Sequence, residues 1–105
     1  MSAFILPKPG EWDGDVRPLF LAPMSGVTDL AYRLLAKECG ADFTITEFTN
    51  STALTRDAAT SWRKMETCEA ENPFIPQIFG GVSKDMALAS ELLSDSADII
   101  DLNFG

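Results

Sequence analysis

Apolar residues fall along this chain in short blocks whose period changes from block to block. From Pro18 to Met24 nearly every position is apolar, and Ser25 and Gly26 close the run. So short a run without a polar face predicts a strand buried on both sides, as in a parallel sheet. The period then lengthens. Ala31, Leu34, Leu35 and Cys39 fall on one helical face, Thr28 or Asp29 can cap the start, and Gly40 suits a left-handed residue past the end. Phe43 to Phe48 alternates and is rich in Thr, Ile and Phe, which predicts a second strand. Ser51 to Glu66 reads as a helix lined by Ala53, Leu54, Ala58 and Trp62, and Cys68 to Pro73 as a loop. Phe74 to Phe79, closed by Gly80 and Gly81, predicts a third strand. Ser83 then caps a helix to about Ser94, with Met86, Ala89 and Leu93 on one face and Asp85 at the positive end of its dipole. Asp98 to Phe104 predicts a fourth strand. Ahead of all these, Pro7, Pro9, Gly10, Asp13 and Gly14 make residues 1–16 a turn-rich leader.

Strands and helices that alternate with short connections imply right-handed crossovers and a parallel sheet. The expected fold class is therefore α/β, with about four parallel strands and intervening helices. Two architectures satisfy that order: a partial TIM barrel, meaning half of an eightfold barrel, or a small open sheet.

Composition narrows the function classes. At 105 residues with 46% hydrophobic and 23% charged, the chain suits one core-bearing domain or a piece of one. It holds two cysteines, Cys39 and Cys68, and no histidine, so neither a zinc pattern nor a disulfide framework is suggested, and no metal site is expected. A reducing, cytoplasmic setting follows. No apolar run approaches the roughly 20 residues of a membrane helix. The net charge of −8 argues that this acidic segment alone does not bind nucleic acid, since polyanion affinity comes from Lys and Arg that displace counterions.

Reactive residues of parallel α/β folds gather where strands end, so the polar residues at the predicted exits matter most. These are Pro23, Met24, Ser25 and Gly26; Glu47; Gln77 and Gly80; and Asp101, Asn103 and Gly105. Alternation along the fourth strand sends Ile100, Leu102 and Phe104 toward the helices and Asp101 and Asn103 to the other side. Gln77 falls opposite Pro76 and Ile78 by the same count. Gln77 and Asn103 are thus expected in one mouth. As amides they donate and accept at once, which suits a ring of alternating carbonyl and N–H groups such as a flavin or a uracil.

These residues resemble a known family. The run Leu21-Ala22-Pro23-Met24-Ser25-Gly26-Val27-Thr28-Asp29, followed by Arg33, is similar to the opening signature of the tRNA-dihydrouridine synthases. Thr46-Glu47, Pro76-Gln77-Ile78-Phe79-Gly80 and Ala97-Asp98-Ile99-Ile100-Asp101-Leu102-Asn103-Phe104-Gly105 resemble their counterparts in order and spacing. The resemblance spans residues 17–105 and implies the N-terminal half of an FMN-binding (β/α)8 barrel that reduces uridine in tRNA with NADPH. It further implies that Pro23, Met24, Ser25, Gln77 and Asn103 bind the cofactor, with Asn103 and Glu47 on the substrate side. In the family the Asn-x-Gly motif continues into Cys-Pro, and that cysteine is the proton donor. The sequence given stops at Gly105, so no catalytic residue is assigned, and the isolated chain is expected to be inactive, to hold FMN weakly and to self-associate through open strand edges.

Plainer roles stand beside these. Taken singly, Pro23 to Gly26 could be a plain strand-to-helix turn, Gln77 could satisfy backbone and Asn103 cap a turn, but the motifs together favour the site roles; Glu47 reads as well as a structural carboxylate. Asp101 is expected to bond backbone amides, Arg33 to be solvated or salt-bridged with a minor prospect of touching RNA, and Cys39 and Cys68 to be inert. Trp12 and Trp62 read as packing residues, and Arg56, Arg63 and Lys64 as a solvated face. A dihydroorotate-dehydrogenase-like FMN barrel and a non-catalytic half barrel are the competing readings.

Overall fold

A computed structural model describes residues 18–105. The leader at 1–16 and Trp12 lie outside the described residues. The chain forms an α/β unit in which every strand pairing is parallel. Strand β1 (Phe20–Leu21) pairs with β2 (Phe43–Thr44), setting Phe20 beside Phe43 and Leu21 beside Thr44. Strands β3 (Thr49–Asn50), β4 (Gln77–Phe79) and β5 (Asp101–Leu102) make a second sheet in that order. A parallel bridge between Ile45 and Ile75 joins the two.

Of the predicted strand Phe43–Phe48 only Phe43–Thr44 and the Ile45 bridge are laddered, with pairing resumed beyond its end, and Thr46 is the reason. The Thr46 N–H donates to the Ile75 carbonyl at 3.0 Å, as a ladder would require. The Gln77 N–H, however, donates to the Thr46 hydroxyl at 2.9 Å rather than to a backbone carbonyl. A side chain has entered the ladder, and regular pairing resumes at Thr49 opposite Ile78.

Helix α1 (Leu30–Glu38) starts at Asp29, whose carboxylate accepts the Tyr32 N–H at 2.9 Å, and ends before Gly40 at φ +109°. That φ favours glycine because a Cβ would be strained there. The expected inner face of Ala31, Leu34, Leu35 and Cys39 is corrected. Leu35 is 57% exposed, Ala31 and Cys39 are exposed, and the buried residue is Arg33. The inward stripe is Leu30, Arg33, Leu34 and Lys37, because a buried ion pair and carbonyl contacts hold the two long cations with their stems inward.

The expected single helix over Ser51–Glu66 is two, α2 (Ser51–Thr55) and α3 (Ala59–Lys64), separated by Asp57 at φ +57°. Asn50 caps α2 by accepting the Ala53 N–H. Helix α4 (Ser83–Leu93) begins one residue earlier than expected. Val82 is its N-cap, without a side-chain hydrogen bond, and Ser83 lies inside the helix. Leu54, Met65, Ile78, Ala89 and Leu93 form the core, with Trp62, Met86 and Ile100 packed against it. Each large aliphatic side chain buried there contributes about 2 kcal/mol. Trp62 is a packing residue as expected, its indole N–H donating to the Leu54 carbonyl at 3.2 Å.

Ile100 meets the core as expected of its face, while Leu102 is 43% and Phe104 90% exposed. Strand β5 is at the edge, and no described element follows it to cover them. Arg56, Arg63 and Lys64 are exposed, in keeping with a solvated face.

Candidate functional site

Parallel pairing carries the C-terminal ends of all strands to one end of the molecule. At that end β4 sets Gln77 directly beside Asp101. The Gln77 side chain, 7% exposed, donates from Nε2 to the Asp101 carboxylate at 2.6 Å. Asp101 therefore serves the Gln77 amide, a correction to its expected role on backbone amides, and the register that places the two abreast is the cause. A carboxylate only accepts, so it fixes the amide's orientation and turns Oε1 toward Asn103. Asn103 Nδ2 donates weakly to that oxygen at 3.4 Å, and Asn103 Oδ1 accepts the Gly105 N–H at 2.8 Å. Hydrogen bonds thus run one way, from Gly105 through Asn103 and Gln77 to Asp101. Asn103 both caps the turn and joins the mouth.

The turn after β1 is tied to the same end by a different route. Met24 accepts the N–H groups of Val27 and Thr28, each at 3.0 Å, while its own N–H donates to the Thr28 hydroxyl at 3.0 Å. Gly26 stands at φ +75° and donates its N–H to Glu47 Oε1. Glu47 follows Thr46, which holds the Gln77 N–H. A rim therefore runs Gly26, Glu47, Thr46, Gln77, Asp101, Asn103. Among the described residues no hydrogen bond joins Pro23, Met24 or Ser25 directly to Gln77 or Asn103; the turn reaches them through Glu47 and Thr46.

Beside the rim lies a cleft of about 440 Å³, walled by Phe48, Asn50, Phe79, Gly80, Gly81, Asn103, Phe104 and Gly105. Phe48 and Phe79 meet edge to face at 5.2 Å. Sequence reading passed over these two aromatics as strand residues. Their signal was position, since each stands at a strand end beside a residue already singled out.

Behind the turn sits a buried charge pair. Arg33 Nε donates to Glu71 Oε2 at 2.6 Å, and both side chains are 1% exposed. Arg33 also donates to the carbonyls of Thr28 at 2.9 Å and Glu66 at 2.7 Å, while Thr44 and Thr67 hydroxyls donate to Glu71. The salt-bridged reading of Arg33 holds; a solvated residue or one touching RNA is excluded by its burial. Both cysteines lie at the other end of the molecule. Cys39 closes α1 ahead of β2, and Cys68 shares a cleft with Phe74 and Asp98, which precede β4 and β5. Among the described residues there is no cluster suited to a metal ion and no helix long and apolar enough to cross a membrane.

Comparison with known proteins bears on what this rim is for. The family model described as dihydrouridine synthase matches residues 20–105. A probable tRNA-dihydrouridine synthase of Rhizobium leguminosarum bv. phaseoli is 42% identical over 86 residues, covering 81% of this chain and 27% of that relative. One of Treponema pallidum is 38% identical over 89 residues (83% and 26%), and tRNA-dihydrouridine synthase B of Klebsiella pneumoniae is 36% identical over 88 residues (83% and 27%). The chain spans about a quarter of the length of these curated relatives.

Proposed function

This chain belongs to the dihydrouridine synthase family, and from that premise we propose that residues 17–105 form the N-terminal half of the flavin-binding barrel of a tRNA-dihydrouridine synthase. The protein is then an FMN-dependent oxidoreductase that reduces uridine in tRNA to dihydrouridine, with NADPH as reductant. The supporting observation is the one-way chain from Asn103 through Gln77 to Asp101, set at the ends of parallel strands beside an aromatic-walled cleft. The family match favours this reading over the dihydroorotate dehydrogenase alternative.

The donor set suits a planar ring that bears carbonyls. Gln77 Nε2 and Asn103 Nδ2 each carry a second hydrogen beyond the bond described, and Ser25 and Gly26 are exposed at the turn. FMN, when bound, supplies the hydride that, with a proton, saturates the C5=C6 bond of the base. Pro23, Met24 and Ser25 would line its ring with backbone, and the Gln77 amide would bond its edge. Asn103 would stand where ring and base meet. Glu47 holds the Gly26 amide with one oxygen and keeps the other for the substrate side. A base must leave its stack to reach this mouth, and Phe48 and Phe79 offer it apolar faces in return. The proton is given by neither Cys39 nor Cys68, which lie at the wrong end of the strands.

The test is nucleoside mass spectrometry of an unmodified tRNA transcript incubated with NADPH and the full-length protein. Dihydrouridine is the expected product. Asn103→Ala should retain flavin absorbance while slowing reduction roughly a hundredfold, the effect of deleting one donor aimed at the reacting group. A flavin-loaded protein that leaves every uridine unchanged would overturn the reading.

A further inference from the structure

Arg63 and Lys64 close α3, and nothing in the rim uses them. Both are exposed, and among the described residues neither is paired with a carboxylate, the ion pair there being Arg33 with Glu71. Arg56 and Lys84 are likewise exposed and without an ion pair among the described residues, so it is position that distinguishes Arg63 and Lys64. Lys64 Nζ lies 6.0 Å from the centre of the Phe48 ring, and Phe48 walls the cleft at the strand ends. Arg63 and Lys64 also wall an adjoining cleft of about 320 Å³ with Asp29, Thr60, Glu47 and Glu66. Lys64 thus stands on the partition between the two, at the same end of the strands as Asn103.

We propose that Arg63 and Lys64 form a phosphate-contacting lip, which takes backbone phosphates of the RNA strand flanking the base that enters the Phe48 cleft. The inference rests on the reading of a tRNA substrate. Sites for unpaired nucleic acid combine aromatic faces for bases with cations that follow the backbone, and Phe48, Phe79, Arg63 and Lys64 make that combination within one short stretch of surface. A packing role accounts for Lys64 alone, through its contact with Phe48, and leaves Arg63 without one. The net charge of −8, which weighs against nucleic-acid binding by this segment alone, is compatible with two local contacts made within the full-length protein, because salt screens carboxylates beyond about 8 Å. Asp29, Glu47 and Glu66 line the second cleft and repel phosphate from it, so the strand would pass on the Phe48 side of Lys64.

The test is binding of the full-length protein to unmodified tRNA transcript at a series of salt concentrations, read by fluorescence anisotropy. Arg63→Gln and Lys64→Gln should each weaken binding roughly threefold and flatten the slope of log affinity against log salt by about 0.7, the loss of one phosphate contact on a single strand. Lys64→Arg should restore both. A double Gln variant with unchanged affinity and slope would overturn the lip, as would weakened binding at an unaltered slope, which would assign the pair to packing. A parent protein that binds no tRNA would instead defeat the substrate reading on which the lip depends.

Discussion

A methyl group built at Gly80 would lie 2.2 Å from the Ser51 hydroxyl oxygen, a distance no pair of heavy atoms tolerates. Ser51 is fully buried, so packing rather than any hydrogen bond limits how far its hydroxyl can swing aside. Gly80→Ala should therefore destabilise the full-length protein by about 1–3 kcal/mol in urea unfolding. Ser51→Ala removes the offending atom and deletes a polar group that bonds nothing, so it should be neutral or stabilising alone and should recover much of the Gly80→Ala loss. Arg33 supports a second prediction. Arg33→Met leaves the buried Glu71 carboxyl without its cation, at a cost of about 3–5 kcal/mol, whereas Arg33→Met with Glu71→Leu should cost less than Arg33→Met alone. Much of this residue-level detail was legible in the sequence: the amides at 77 and 103 were expected in one mouth, and they meet there. What was hidden is partnership across the chain. Arg33 and Glu71 stand 38 positions apart, and no local pattern announces that a helix will turn a cation inward to meet an acid beyond the next strand.

Among the elements, the order of strands and helices was readable because short apolar runs and capped amphipathic stretches carry strong periodic signals. Boundaries were less so. The strand after α1 divides because Thr46 lends its hydroxyl to the Gln77 N–H, and one threonine among several gives no sign of doing so. The helix after Asn50 breaks at Asp57 because that residue takes a left-handed conformation, which aspartate tolerates without the advertisement of a glycine. Helix α4 shows the same limit at its start. Ser83 looked like the cap, yet the cap position belongs to Val82, whose side chain makes no hydrogen bond. Val82→Asp should consequently raise stability by about 0.5–1 kcal/mol in thermal or urea unfolding, since a carboxylate there can accept an N–H of the first turn. Asp29→Ala, by contrast, removes an existing cap from α1 and should cost about 1 kcal/mol.

For the molecule as a whole, the α/β class and the parallel direction were legible because parallel neighbours need a crossover long enough for a helix, and a helical stretch lies between successive predicted strands. The covering of its two edges was not. Leu19, Phe20, Leu102 and Phe104 are 62%, 50%, 43% and 90% exposed along β1 and beside β5, and open edges with apolar neighbours attract further chain. The 105-residue chain prepared alone should accordingly associate, with light-scattering mass rising as concentration is increased; a constant monomer mass would contradict this. Glu71 ties these levels together. Its two oxygens receive Arg33 from α1, Thr44 from β2 and Thr67 from the loop before β4. Positions 33, 44, 67 and 71 therefore form one heritable unit: a substitution at any one alters the worth of the others, and mutational drift at these sites should proceed in concert or stall.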